Sequence, residues 1–123
     1  MKRKIEKARE YRIIMEIVVD AYGPEERSMG WYCYLENTMT FPFKATCNSD
    51  DSFTHLSKGD EVEVIGMAAS GRCHEQMFVM AQKGGKKKFA TPLVEIEPSP
   101  HVDEKTQEAI EDWQYWVKMG YGF

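Results

Sequence analysis

Apolar residues recur between positions 2 and 22 at mixed steps of three and four: Ile5, Tyr11, Ile14, Ile17, Val18 and Ala21. That spacing is a helical period and predicts a first helix, although the β-branched run Ile17–Val19 would also suit a strand. Gly23 and Pro24 interrupt the pattern. Proline at a first helical position, followed by Glu25 and Glu26 where the dipole is positive, predicts a second helix running to about Asn37 or Thr38.

From Phe41 the period shortens. Phe41 to Cys47, Glu61 to Met67, Gln76 to Ala81 and Lys87 to Thr91 read as strands, with Val94 to Ile96 a short fifth. The turns between them are chemically specific. Asn48 to Ser52 is polar, Ser57 to Asp60 is a tight turn into the alternating run Glu61-Val62-Glu63-Val64, and Gly84-Gly85 suits a hairpin. Pro98 and Pro100 close the β region. A last helix from His101 to Gly120 follows, with Asp103 as its cap and Thr106, Ala109, Ile110, Trp113, Trp116 and Val117 as its stripe. Glu104, Glu108, Glu111 and Asp112 fall on its other face. The predicted architecture is α+β: a small SH3-like antiparallel β-barrel of four to five strands, preceded by a helix pair and followed by a C-terminal helix.

A chain of 123 residues, 42% hydrophobic, has room for one core, so residues 1–123 are expected to form a single domain, with residues 1–12 a basic extension that can fray. The net charge of −4 is unevenly spread: 1–12 and 79–92 are basic, 13–78 and 93–123 acidic. The acidic parts hold most of the aromatics, which disfavours nucleic acid there. Cys33, Cys47 and Cys73 form no C-x-x-C pair, so neither a disulfide framework nor a zinc ribbon is signalled, and a cytoplasmic setting is expected. Ile13 to Val19, interrupted by Glu16, is too short to span a membrane.

The chemistry concentrates where oxygens meet rings. Asp20, the pair Glu25 and Glu26, and Glu36-Asn37-Thr38 are interleaved with Trp31, Tyr32 and Tyr34; Glu111 and Asp112 adjoin Trp113, Tyr115 and Trp116. Carboxylate and amide oxygens are what a hard cation such as Ca2+ takes, about six to eight of them. No single loop supplies the set: the nearest EF-hand spacing, from Asn48, has Phe53 where glycine is needed and Gly59 where the bidentate glutamate belongs. A site would be assembled from separated pieces, with Asp20, Glu25, Glu36, Asn37, Glu111 and Asp112 as metal ligands and Glu26 nearby. A solvated acidic helix face is the commoner arrangement for such residues, and the rings are commonly core anchors.

Other constellations are weaker. Cys73 and His74, adjacent on an extended strand, would point to opposite faces, which argues against a catalytic pair. His55, His74 and His101 with the cysteines give no zinc spacing. No Ser/His/Asp arrangement or phosphate-binding glycine motif is present, so no enzyme is expected. Lys86-Lys87-Lys88 is a basic hairpin, suited to solubility or to a protein partner in a metal-free interaction module.

The runs EIVVDAYGPEERSMGWYCYLEN, FPFKATC, KGDEVEVIGMA, MFVM, TPLVEIEP and AIEDWQYWVKMGYGF, in this order, resemble the small cyanobacterial-type calcium-binding protein family, which is not of the EF-hand type. The resemblance spans about residue 13 to the C-terminus. It implies a cytoplasmic, acidic protein that binds Ca2+ reversibly as a buffer or sensor, built on a helix pair, a small barrel and a C-terminal helix. Two departures stand out. The family pattern has Leu-Glu-Asp where this chain has Leu35-Glu36-Asn37, and tends to be acidic where this chain has Ala68 to Arg72. An amide oxygen still coordinates calcium, but each lost charge weakens a site.

Overall fold

The computed structural model describes residues 6–19, 21–48, 57–69, 71, 73 and 76–121. The chain opens with helix α1 (Lys7–Arg12), which runs into a π-helical turn, Ile13–Ile17, closed by the bond from Val18 N–H to the Ile13 carbonyl at 3.0 Å. Helix α2 (Pro24–Thr38) follows, then strands β1 (Phe43–Cys47), β2 (Glu61–Met67), β3 (Phe78–Gln82) and β4 (Phe89–Pro92). A short 3-10 turn, Leu93–Glu95, leads to β5 (Ile96–Pro98), and helix α3 (Glu104–Lys118) completes the chain.

All strand pairings are antiparallel, in the order β4-β3-β2-β1-β5. The α+β class and the five strands match the expectation, but the ladder is open: β4 and β5 are its two edges. Val94 and Glu95 belong to the 3-10 turn rather than to the fifth strand, which begins at Ile96. The turn carries the chain away from β4 and returns it beside β1, where Cys47 faces Ile96 and Ala45 faces Pro98.

Alternation decides the faces of the sheet. Phe43, Ala45 and Cys47, Val62 and Val64, and Val79 and Ala81 are buried under the helices, while Lys44, Glu61 and Glu63 point outward. At the β3–β4 hairpin Gly84 and Gly85 have φ of 58° and 77°, the left-handed backbone a tight reversal requires. Lys86, Lys87 and Lys88 stand exposed beside it. The Phe41-Pro42 peptide is cis.

Trp31 of α2 is the centre of the helical layer. It is fully buried, with ring centroids 5.1 Å from Trp113 and 5.5 Å from Trp116 on α3, and 6.0 Å from Tyr34. The rings are therefore core anchors, and the Trp31 pairs with Trp113 and Tyr34 have the edge-on geometry that aromatic quadrupoles favour. Gln114 ties α3 to the sheet by donating to the Ile96 carbonyl at 2.9 Å.

Two helical faces differ from the sequence pattern. In the first segment Ile13 and Ile17 are buried, whereas Tyr11 and Ile14 are exposed. A π turn holds one residue more than an α turn, so positions after it are displaced around the axis by about one residue relative to an α-helical reading. In α3 the buried set is Thr106, Ala109, Ile110, Asp112, Trp113 and Tyr115, with Trp116 half-buried and Val117 exposed. The buried face is thus turned toward Asp112 and Tyr115, and Asp112 does not join the solvated acids. Asp103 holds the cap position, but its carboxylate accepts from the Thr106 hydroxyl instead of bonding the helix backbone. Thr106 in turn accepts from Thr40 N–H at 2.8 Å, which anchors the exit of α2.

Candidate functional site

Asp112 is completely buried, and three donors converge on it. Arg9 Nη1 and Arg12 Nη2 donate to Oδ1 at 2.7 and 2.5 Å, and the Tyr34 hydroxyl donates to Oδ2 at 2.8 Å. Burial works against both guanidinium charges, but Asp112 together with Glu6 at Arg9 and Glu108 at Arg12 outweighs it, and both arginine pKa values are raised. Glu6 and Glu111 add to the hold on Arg9, at 3.2 and 3.5 Å, and Glu108 lies 3.7 Å from Arg12. A carboxylate satisfied this fully, and matched by two cations, has its charge spent on holding α1 and α2 to α3.

Glu25, Glu26, Glu36 and Asn37 do not converge on it, although Glu111 shares its Arg9. Glu25 and Glu26 are exposed in the first turn of α2, the end where the helix dipole favours negative charge. Glu36 and Asn37 are exposed in the last turn of the same helix. At about 1.5 Å of rise per residue, Glu25 and Glu36 are separated by roughly 16 Å along the axis, too far to share one ion. Glu111 is half-exposed and accepts from Gln107 at 2.8 Å as well as from Arg9. Asp20 lies outside the described residues. The proposed set therefore separates into a front group and a rear group on α2 and an arginine-bound group on α3.

The rear group has the more distinctive surroundings. Tyr32, one turn before Glu36, donates its hydroxyl to the Ala68 carbonyl at 2.9 Å, so the end of α2 is fastened to the segment leaving β2. The Tyr32 pKa is raised, chiefly by burial and then by the negative charge of Glu36. Glu36 thus lies near Tyr32, whose hydroxyl reaches Ala68. Among the described residues no cation pairs with Glu36, and no group of three or more His, Cys, Asp or Glu is placed to hold a metal. Glu36 and Asn37 offer hard oxygens of the type calcium takes, but only part of a shell of about six to eight.

Cys73 itself is buried, accepts from Phe78 N–H at 3.4 Å, and has its thiol pKa pushed up by burial, which opposes a thiolate. His74, the other half of that sequence motif, and His55, Asp50 and Phe53 of the rejected EF-hand stretch lie outside the described residues.

Arg9, Arg12 and Tyr34 are functional in the architecture and absent from the sequence-derived set. Their signal was present as two arginines three apart, on one face of a short helix, but a basic terminus reads as solvated unless its counter-charge is known. Glu10 has a similar hidden role, accepting from the hydroxyls of Tyr115 and of Tyr121, the latter at 3.0 Å.

The CcbP family, described as calcium binding, matches residues 11–117. The crystal structure of Anabaena CcbP is similar at 42% identity and a TM-score of 0.87, with 98% of this chain and 97% of that chain covered. A calcium-binding protein in its calcium-binding form is similar at 43% identity and a TM-score of 0.85, covering 96% and 95%. No curated protein sequence matches the chain.

Proposed function

Because the chain belongs to the CcbP calcium-binding family, which is not an enzyme family, we propose that it binds Ca2+ reversibly, as a buffer or sensor, at the rear end of α2. Glu36 supplies the carboxylate and Asn37 an amide oxygen, with the rest of the shell drawn from the segment after β2 and from water. The observation that supports this reading is the bond from Tyr32, one turn before Glu36, to the Ala68 carbonyl, which ties the end of α2 to the start of that segment. It is the same stretch in which the family resemblance implies further acids and this chain has Ala68, Ala69, Ser70, Gly71 and Arg72. Asp112, matched by two arginines, serves the architecture, and Glu25 and Glu26 serve the start of α2.

Fewer carboxylates make the site weak, so it responds to high calcium rather than to traces. The return of β5 to β1 through a 3-10 turn supports assigning the open ladder to the SH3-like barrels. Free cysteines at 33, 47 and 73 support a cytoplasmic setting, and among the described residues no helix is long and apolar enough to cross a membrane.

Calorimetric titration of chelator-stripped protein tests the function directly. The expected result is a weak calcium-selective event with magnesium well behind, accompanied by thermal stabilisation of about 2.7 kcal/mol at 100 times the dissociation constant. The absence of both binding heat and a melting shift at millimolar calcium would overturn it.

A further inference from the structure

Lys86, Lys87 and Lys88 have no part in the site on α2, and solubility does not account for them. Residues 79–92 carry four lysines and no acid, and taking these three from a chain of net charge −4 would leave −7, further from zero, where solubility is greater. Lys83 is engaged by Asp60 at 3.0 Å, whereas among the described residues none of the three is in an ion pair. Their turn is nevertheless pinned. Gln82 donates to the Lys86 carbonyl at 2.8 Å, Lys86 N–H to the Lys83 carbonyl at 3.1 Å, and Ser57 N–H to Asp60 at 2.9 Å. A cleft of about 1050 Å³ runs from this hairpin across the outer face of the sheet to Glu97 and Pro98. There the register sets Thr46 between Glu61 and Glu97, two exposed carboxylates in one row, which also form no ion pair among the described residues.

These two charged ends of one cleft select the occupant. A long nucleic acid following the lysines would run onto Glu61, Glu63 and Glu97, which repel it. A bilayer would be held by charge alone, because among the described residues the exposed large hydrophobics lie at positions 11–29, 117 and 121, and none is on the hairpin. A short segment carrying both signs complements both ends. In the strand order β4-β3-β2-β1-β5, the strand that follows the lysines stands three spacings from β1, roughly 14 Å at about 4.8 Å each, which an extended chain spans in about four residues. We propose that the outer sheet face docks an extended segment of a protein partner, with acidic residues on Lys86, Lys87 and Lys88 and, about four residues away, an arginine between Glu61 and Glu97. Helix α2 packs on the opposite face of the sheet, so this docking is independent of calcium.

Fluorescence anisotropy of labelled peptides against the full chain, at low ionic strength, tests it. The probe is a peptide of three glutamates, four glycines and one arginine, made in both chain directions. At least one direction is expected to bind in roughly the micromolar to sub-millimolar range, and glutamine in place of its arginine to weaken it by about fivefold. Lys87→Glu with Lys88→Glu should weaken binding about tenfold or more. Glu61→Gln with Glu97→Gln should make binding indifferent to the peptide's arginine, and circular dichroism and the calcium titration should be unchanged in both double variants. No binding of either peptide at millimolar concentration overturns the proposal. So does binding unaffected by the lysine reversal or by the peptide's arginine, or tighter binding of phosphatidylserine vesicles or of an oligonucleotide than of the peptide.

Discussion

Arg9 and Asp112 are joined across 103 positions of sequence by a 2.7 Å bond from Nη1 to Oδ1. The carboxylate is fully buried and shared with Arg12 and Tyr34. This connection turns a basic N-terminal segment into part of the fold, and removes one of the candidate calcium ligands, Asp112, from the solvated acids.

Asp112→Ala should be strongly destabilising, by about 3 kcal/mol, because it leaves two partly buried guanidinium groups and a tyrosine hydroxyl without their acceptor. Urea midpoints measure it. A loss under about 0.5 kcal/mol, together with weaker calcium binding, would make Asp112 a ligand instead of a tether.

Tyr34 gives the network a pH signature. Burial, then the bond to Asp112, holds its pKa well above the ordinary tyrosine value of about 10. The folded chain keeps a proton that the unfolded chain releases above about pH 10, so this stability is complete below that pH and falls as pH rises through it. Tyr34→Phe should flatten the alkaline decline in urea midpoint. A residual slope should remain from Tyr115, raised by burial and by its bond to Glu10. Equal slopes in both proteins would contradict the assignment.

Gly30 is where the first segment meets α2. A Cβ built there would lie 2.4 Å from the Ile17 carbonyl oxygen, a backbone atom that cannot swing aside. Gly30→Ala should therefore destabilise by about 1–3 kcal/mol, even though alanine favours a helix by up to about 1 kcal/mol over glycine. Thermal melts decide the sign, and a stabilised variant would show that the two segments separate easily.

At the rear of α2, Glu36→Gln should abolish the calcium heat, and Asn37→Asp should tighten binding by adding a charge to the shell. Glu25→Gln, about 16 Å away along the helix, should change affinity little. The opposite ranking, with Glu25 essential and Glu36 silent, would move the site to the front of the helix.

Much of the fold was legible because its signals are local. Pro24 with Glu25 and Glu26 marks the start of α2 at the observed residue, alternation marks β2 from Glu61 to Met67, and Gly84-Gly85 marks the hairpin. The errors fall where a local pattern admits two outcomes. Ile13, Ile14, Ile17 and Val18 satisfy either of two helical faces, and the π turn selects the one with Ile13 and Ile17 inward. Val94 and Glu95 read as strand, but the turn returning β5 to β1 takes them into a 3-10 conformation.

The sequence by itself determined the order of helices and strands, the family, and the types of oxygen available to calcium, because period, capping and composition act over a few residues. Which acids stay free is a matter of pairing between residues a hundred positions apart. Asp112 and Glu36 look alike in sequence, each an acid among rings, yet one meets two arginines in the interior and the other faces solvent beside Tyr32. Only the packing of α1 and α2 on α3 decided that difference, because a buried carboxylate must find its counter-charge wherever the fold brings it.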